Sequence, residues 1–225
     1  MPAASTARRA QAESANEFPM LRSQYYEALK QLARETRVEY GLASPRVLRS
    51  DLRRIYRDQG IRIDLWDHKF KKLRGAYFND ELGPMVMLYK NLPEDPMVFT
   101  MAHELKHHLT DSNLALSYCD SSNQAEQIEI GAEVFAAELI YPEGQFAADL
   151  QAMGTGIGSC TPESIVRLKR ETRTTLSYAG LVKRAEFLGL ASSGALQGIK
   201  WKKLEESIYG PPVYKRILAR RAARR

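Results

Sequence analysis

Three of the chain's four histidines fall within residues 99–109, FTMAHELKHHL. Inside that segment His103, Glu104 and His107 spell H-E-x-x-H. On a helix, residues i and i+4 project from one face a turn apart, so two imidazoles can converge on one ion. Zinc takes imidazole nitrogen at about 2.0–2.1 Å, and a catalytic zinc keeps one position for water. Glu104 stands about 100° around the helix from His103. From there it reaches that water without ligating and can serve as general base. The competing reading is a solvated charged face with one buried histidine. It fits poorly, because Val98, Phe99, Met101, Ala102, Leu105 and Leu109 make an otherwise apolar helix. Polar groups on such a helix need a partner, and a metal is the natural one.

A catalytic zinc needs a third protein ligand, and the next helix offers four acids: Glu126, Glu129, Glu133 and Glu138. Glu129 and Glu133 lie one turn apart on one face, beside Ala132 and Ala136, whose small side chains permit close helix packing. That arrangement suits one glutamate on the metal and the other on the free ring nitrogen of a ligating histidine. Glu126 and Glu138 read as solvent-facing charges. His108 points away from the face of His103 and His107 and reads as a surface or supporting histidine, and His68 as a loop residue.

The elements that must position these groups follow from periodicity. Tyr25, Ala28, Leu29 and Leu32 recur at helical spacing. Ser44-Pro45 is a cap signal for a second helix with Leu48, Leu52, Ile55 and Tyr56 on its apolar face and Gly60 just past its end. The period then changes. Ile61, Ile63 and Leu65 alternate as a strand, residues 75–78 form a second and residues 85–89 a third, with a turn-rich break over 79–84. This predicts a small antiparallel sheet. Asp95-Pro96 opens the motif helix, which runs to about His108 or Leu109. Ser121 or Ser122 caps the next one, with Ile128, Ala132, Phe135, Ala136 and Leu139 on one face and its end before Pro142. After a Gly-rich break at 154–159, Thr161-Pro162 caps a short helix around residues 165–169. Another follows from about Ser177 to Leu188, closed by Gly189. The fold class is α+β.

FTMAHELKHHL followed by EIGAEVFAAELIYP (129–142) resembles the ImmA/IrrE family of zinc metallopeptidases. Phe99, Thr100, Ala102, His103, Glu104 and His107 match its first motif block. Glu129, Ala132, Phe135, Ala136, Leu139, Ile140 and Pro142 match the second. The resemblance covers roughly residues 45–190, with 166–190 as a helix-turn-helix-like segment. It implies a zincin-like fold of gluzincin type, with one Zn2+ per chain held by His103, His107 and Glu129, Glu104 as base, and Glu133 in support. It also implies an endopeptidase that cleaves a helix-turn-helix repressor to derepress mobile-element or stress-response genes. Two positions depart from the family pattern. Glu133 replaces the usual Asn or Asp, and Lys106 stands where Gly is common, a cation that would either repel a metal or position a substrate carbonyl. The group that polarises the scissile carbonyl is left open among Tyr77, Tyr141 and Lys106. Residues 85–89 are either a sheet edge that takes substrate by strand addition or a buried strand.

The organisation expected is a flexible N-terminal tail (1–20), the metallopeptidase domain (21–150), the helix-turn-helix-like segment (151–190) and a basic C-terminal tail (191–225). At 225 residues, 44% hydrophobic and 27% charged, the chain has apolar surface enough for a core, which excludes wholesale disorder. No run approaches the ~18 apolar residues of a membrane span. The basic residues near the N-terminus have no apolar run behind them, which argues against secretion. A cytoplasmic protein with Cys119 and Cys160 as reduced thiols is the expectation. The net charge of +6 looks like a nucleic-acid signal. Yet Lys215, Arg216, Arg220, Arg221, Arg224 and Arg225 account for all of it, with no acid from 207 onward. Any electrostatic claim on nucleic acid is therefore the tail's alone. The alternative function is a DNA-associated regulator or anti-repressor that acts by binding, with little or no proteolysis. For it, the helix-turn-helix-like segment would have to read DNA rather than brace the core.

Overall fold

In the computed structural model, which describes residues 21–67, 74–112 and 122–222, the core is built around two helices that carry the motif residues. These are α3 (Glu94–Asp111) and α4 (Ser122–Ile140). Before them come α1 (Arg22–Glu39), α2 (Arg49–Asp58) and strands β1 (Arg62–Trp66), β2 (Gly75–Asp80) and β3 (Gly83–Tyr89). After them come α5 (Glu143–Ala152), α6 (Pro162–Thr172), α7 (Tyr178–Phe187), α8 (Trp201–Tyr209) and α9 (Val213–Ala222). The α+β class holds. Residues 1–20, His68 and Cys119 lie outside the described residues, so the expectations for them are not addressed. No helix of the described residues is long and apolar enough to cross a membrane.

The sheet corrects one expectation. Its order is β1-β3-β2, and it is mixed. β2 and β3 form the predicted antiparallel hairpin, but β1 runs parallel to β3, from Arg62 opposite Met85 to Trp66 opposite Tyr89. Two chain reversals bring β3 back to the direction of β1, and β3 then inserts between its two predecessors. The turn is also tighter than the predicted break. Asp80 pairs with Gly83 across Glu81 and Leu82. The Asp80 carboxylate accepts from the Leu82 N–H at 2.9 Å, and Gly83 takes the left-handed φ of +89° that closes the turn. With β3 paired on both sides and Val86 and Leu88 buried, residues 85–89 are the buried strand of the two alternatives.

The helix ends show which cap signals operate. At α2 the predicted Ser44-Pro45 cap lies outside the helix. Ser44 Oγ instead accepts from the Arg46 N–H at 3.0 Å, a local turn, and the helix opens at Leu48, whose N–H donates to Asp51 at 2.8 Å. Its far end is as predicted. Gly60 has φ +70°, and the Ile61 N–H reaches back to the Tyr56 carbonyl at 2.7 Å. At α3, Asp95 and Pro96 sit inside the first turn rather than at the cap, where the missing proline N–H has no helical partner to lose. Thr161 and Ser177 cap α6 and α7, each accepting from a backbone N–H at 3.2 Å. Three helices were not anticipated: α5, whose Phe146 and Leu150 are buried one turn apart, and α8 and α9 within 191–225.

Met97, Val98, Met101, Ala102 and Leu105 of α3 and Phe135, Ala136 and Leu139 of α4 are buried together with Leu29 and Ala33 of α1. The last carbonyls of α4 are satisfied by guanidiniums. Arg37 of α1 donates to Leu139 O at 2.7 Å and Ile140 O at 3.2 Å, and Arg184 of α7 donates to Tyr141 O. Glu126 is exposed as expected, but Glu138 is not. It is fully buried because Arg34 (3.0 Å), Arg184 (2.9 Å) and the Glu143 N–H (3.0 Å) together satisfy its two oxygens. The Gly-rich stretch is pinned as well: Gly158 N–H donates to Gly189 O and Cys160 N–H to Leu190 O. Cys160 is a buried free thiol, which burial pushes up to about 11.

Candidate metal centre

The helical repeat puts His103 and His107 on one face of α3, and the packing of α4 brings Glu129 to it. His103 Nε2 lies 3.3 Å from His107 Nε2. Glu129 Oε2 lies 3.2 Å from His103 Nε2, and Glu129 Oε1 lies 3.6 Å from His107 Nε2. Two donors each 2.0–2.1 Å from a tetrahedral ion are about 3.3 Å apart. The three separations therefore have the size that one small cation between them requires, and this is the cluster among the described residues that could hold a metal ion. Its imidazoles are mostly covered while the Glu129 side chain is 62% exposed, so the cluster opens to solvent on the side of α4.

The ring orientation of His107 follows from its second nitrogen. Nδ1 lies 2.7 Å from Asp111 Oδ2. Burial works against the Asp111 carboxylate, but bonds from His107, Lys106 and Thr110 outweigh it and hold its pKa below the ordinary range. An ionised carboxylate only accepts, so Nδ1 carries a proton, and Nε2 is the nitrogen that faces the cluster. The pKa of His103 is also displaced. Burial disfavours its imidazolium, yet the Glu129 hydrogen bond and the charges of Glu104, Glu129 and Glu133 outweigh that and raise it. Glu129 is lowered, first by its bond to His103.

Glu104 takes no place in the cluster. It is buried, with its carboxylate against β2: it accepts from the Tyr77 N–H, and its Oε1 packs over Gly75. Burial pushes its carboxyl up, against the opposing pull of His103 and His107. The Tyr77 hydroxyl meets His108 Nδ1 at 3.1 Å, which places His108 against β2 and outside the cluster. Of the three residues left open as electrophile, Tyr141 and Lys106 are engaged elsewhere. The Tyr141 hydroxyl donates to Asp149 at 2.6 Å in the core, and Lys106 is fully buried on the side of α1 and α4.

Glu133, expected on a histidine ring, instead faces Lys183 at 3.4 Å across to α7. The carboxylate that meets the ring nitrogen of His107 turned away from the cluster is Asp111, one turn beyond His107 on the same helix. Sequence reasoning looked for it on the next helix and passed over the i+4 spacing from His107 to Asp111, which was there to be used.

The chain has a counterpart among known proteins in each of two respects, family and fold. A model of the IrrE N-terminal-like domain, a peptidase family, matches residues 57–181. No curated protein matches the chain. Among solved structures it is similar to a Mycobacterium tuberculosis transcriptional regulator, with 17% identity and a TM-score of 0.52. The likeness covers 71% of this chain and 46% of that one, so the chain spans about half the length of that protein. At such identity the likeness is one of fold. The family match is of another kind. It runs from the end of α2 through the sheet, both motif helices and into α7, more than half of the sequence, and on that ground the chain belongs to the IrrE N-terminal-like family of peptidases.

Proposed function

We propose that this protein is a zinc-dependent endopeptidase whose substrate is a partner helix-turn-helix repressor. The observation that carries the reading is the convergence of His103, His107 and Glu129 at 3.2–3.6 Å, with the buried Glu104 one residue along the same helix. Two imidazoles and one carboxylate are a donor set that zinc favours in catalytic sites, one ion per chain. Bound zinc supplies Lewis acidity, polarising a peptide carbonyl and acidifying a water. The chain's own residues do the rest. Asp111 keeps His107 Nε2 turned to the cluster. Glu104, held by the Tyr77 N–H, takes the proton of the attacking water and returns it to the leaving amine. Tyr77, whose hydroxyl meets His108 Nδ1, is the side chain we place against the carbonyl oxygen. The repressor as substrate follows from the family resemblance, and the regulatory description of the structural neighbour is in keeping with it.

Glu104→Gln tests the reading, because Gln keeps the shape of Glu but cannot accept the proton. The wild type co-expressed with a helix-turn-helix repressor encoded beside it should show repressor loss and derepression. The variant should bind one zinc per chain by metal analysis and show neither. Derepression by the variant with the repressor intact would overturn the catalytic step in favour of sequestration by binding.

A second reading, contact with nucleic acid, is supported by α9, which is exposed and carries Lys215, Arg216 and Arg221 with no acid from 207 onward. The helix-turn-helix-like segment lends it little, since Leu181, Arg184 and Ala185 of α7 are buried against the core. About six phosphate contacts would give a slope of log affinity on log salt near −5, and a salt-insensitive affinity would rule such contacts out.

A further inference from the structure

We infer that Lys106 is a positioning residue that sets the spacing between the metal ligands of α3 and α4 by bonding to both helices at once. The inference rests on the zinc reading above. Lys106 adjoins His107 in sequence, and its side chain is 0% exposed. A buried ammonium is tolerable only when its three donors are met. Here Nζ donates to Asp111 Oδ2 at 2.7 Å and to the Ile128 carbonyl at 3.2 Å, and it lies 5.8 Å from the centre of the Tyr25 ring. Asp111 Oδ2 is the same oxygen that meets His107 Nδ1 at 2.7 Å. Ile128 is the residue before Glu129. One ammonium therefore fixes the oxygen that orients the His107 ring and grips the backbone next to the glutamate on the facing helix.

The surroundings are built to the same end. At Gly131 of α4 an added Cβ would lie 2.9 Å from Tyr25 Cε1 and 2.8 Å from Leu29 Cδ1. Only a glycine lets α1 come close enough to lay Tyr25 over the lysine. Thr110 Oγ1 donates to the other Asp111 oxygen at 3.0 Å, so the carboxylate has little freedom to rotate away.

The test uses the full chain and zinc itself. Lys106→Met keeps the length and the apolar stem while removing every donor; Asp111→Asn keeps the shape but weakens the bridge. Zinc affinity is read by competition with a chromogenic chelator, and ligand geometry from the visible bands of the cobalt-loaded protein. Each single variant should bind zinc roughly 10–100-fold more weakly with shifted cobalt bands, the range typical of partners that orient metal-ligating histidines. The double variant should lose no more than about 3-fold beyond the weaker single, because the two residues act in series. A thermal melt of each metal-free variant separates folding from binding, and if Lys106→Met does not fold, Asp111→Asn decides alone. Folded variants that bind zinc within 2-fold of the wild type, or losses that simply multiply, would overturn the inference while the zinc reading stood. A wild type that takes up no zinc would overturn the zinc reading, and the inference with it.

Discussion

At Gly75 a hydrogen stands where a Cβ would lie 2.5 Å from Thr100 Cγ2 and 3.1 Å from Glu104 Oε1. That missing atom lets β2 lie against the motif helix and the Tyr77 N–H reach Glu104. Gly75→Ala should cost about 1–3 kcal/mol of stability in urea unfolding, as overpacking does, and depress with it the peptide cleavage proposed above. Adding Thr100→Ser, which deletes the colliding methyl, should restore part of both. A glycine inside a strand signals close approach, but nothing local says which element approaches. His103 and His107 were legible because their relation is fixed by one helical turn, whereas the matching relation of Asp111 to His107 was overlooked. Asp111 also sets an acid limit. Its folded pKa lies below its unfolded value near 4, so its contribution is fully present above about pH 4 and is lost as pH falls through the folded value. In the metal-free chain, Asp111→Asn should therefore be less stable than wild type at neutral pH and converge with it in acid, as denaturant titrations across pH 2–6 would show.

Among elements, the joint of α1, α4 and α7 is Glu138. Arg34 of α1 meets one of its oxygens and Arg184 of α7 the other, and the pair with Arg184 is almost wholly covered, at 6% and 1% side-chain exposure. Removing one member of a buried pair leaves the others charged and unmatched. Glu138→Ala should cost about 3–5 kcal/mol, read as a fall in denaturation midpoint, and Glu138→Gln should cost less because it keeps hydrogen-bonding atoms in place. The solvent-facing reading of Glu138 failed for a plain reason. Its partners stand 104 and 46 residues away, and helical periodicity carries no information over such distances. The parallel pairing of β1 with β3 escaped on the same ground. Helix ends fared better where the signal was short-range, as at Gly60, Thr161 and Ser177.

For the whole molecule, the C-terminal region divides at about residue 210. Trp201 of α8 stacks on Tyr178 at 5.0 Å, the Tyr178 hydroxyl donates to Glu205 at 3.1 Å, and the Arg170 guanidinium lies over the Tyr209 ring. By contrast Val213, Tyr214, Ile217 and Leu218 of α9 are all exposed. Deleting residues 211–225 should leave the melting temperature within about 2 °C of the full chain and any peptidase activity intact. Deletion from residue 200 onward should lower it clearly, since it removes the stacked ring pair. The charge count located the basic residues, but α8 was missed because its anchors come from α6 and α7. The Glu138–Arg184 contact has a consequence for motion. Arg184 joins α7 to both α4 and the Tyr141 carbonyl, so α7 cannot detach without stranding a buried carboxylate and a helix end. Local openings that break such contacts lie near the cost of global unfolding. α7 and the pair of motif helices thus form one cooperative unit, in which the amide protons of Leu181 and Ala185 are released only by the opening that also releases those of Phe135 and Ala136.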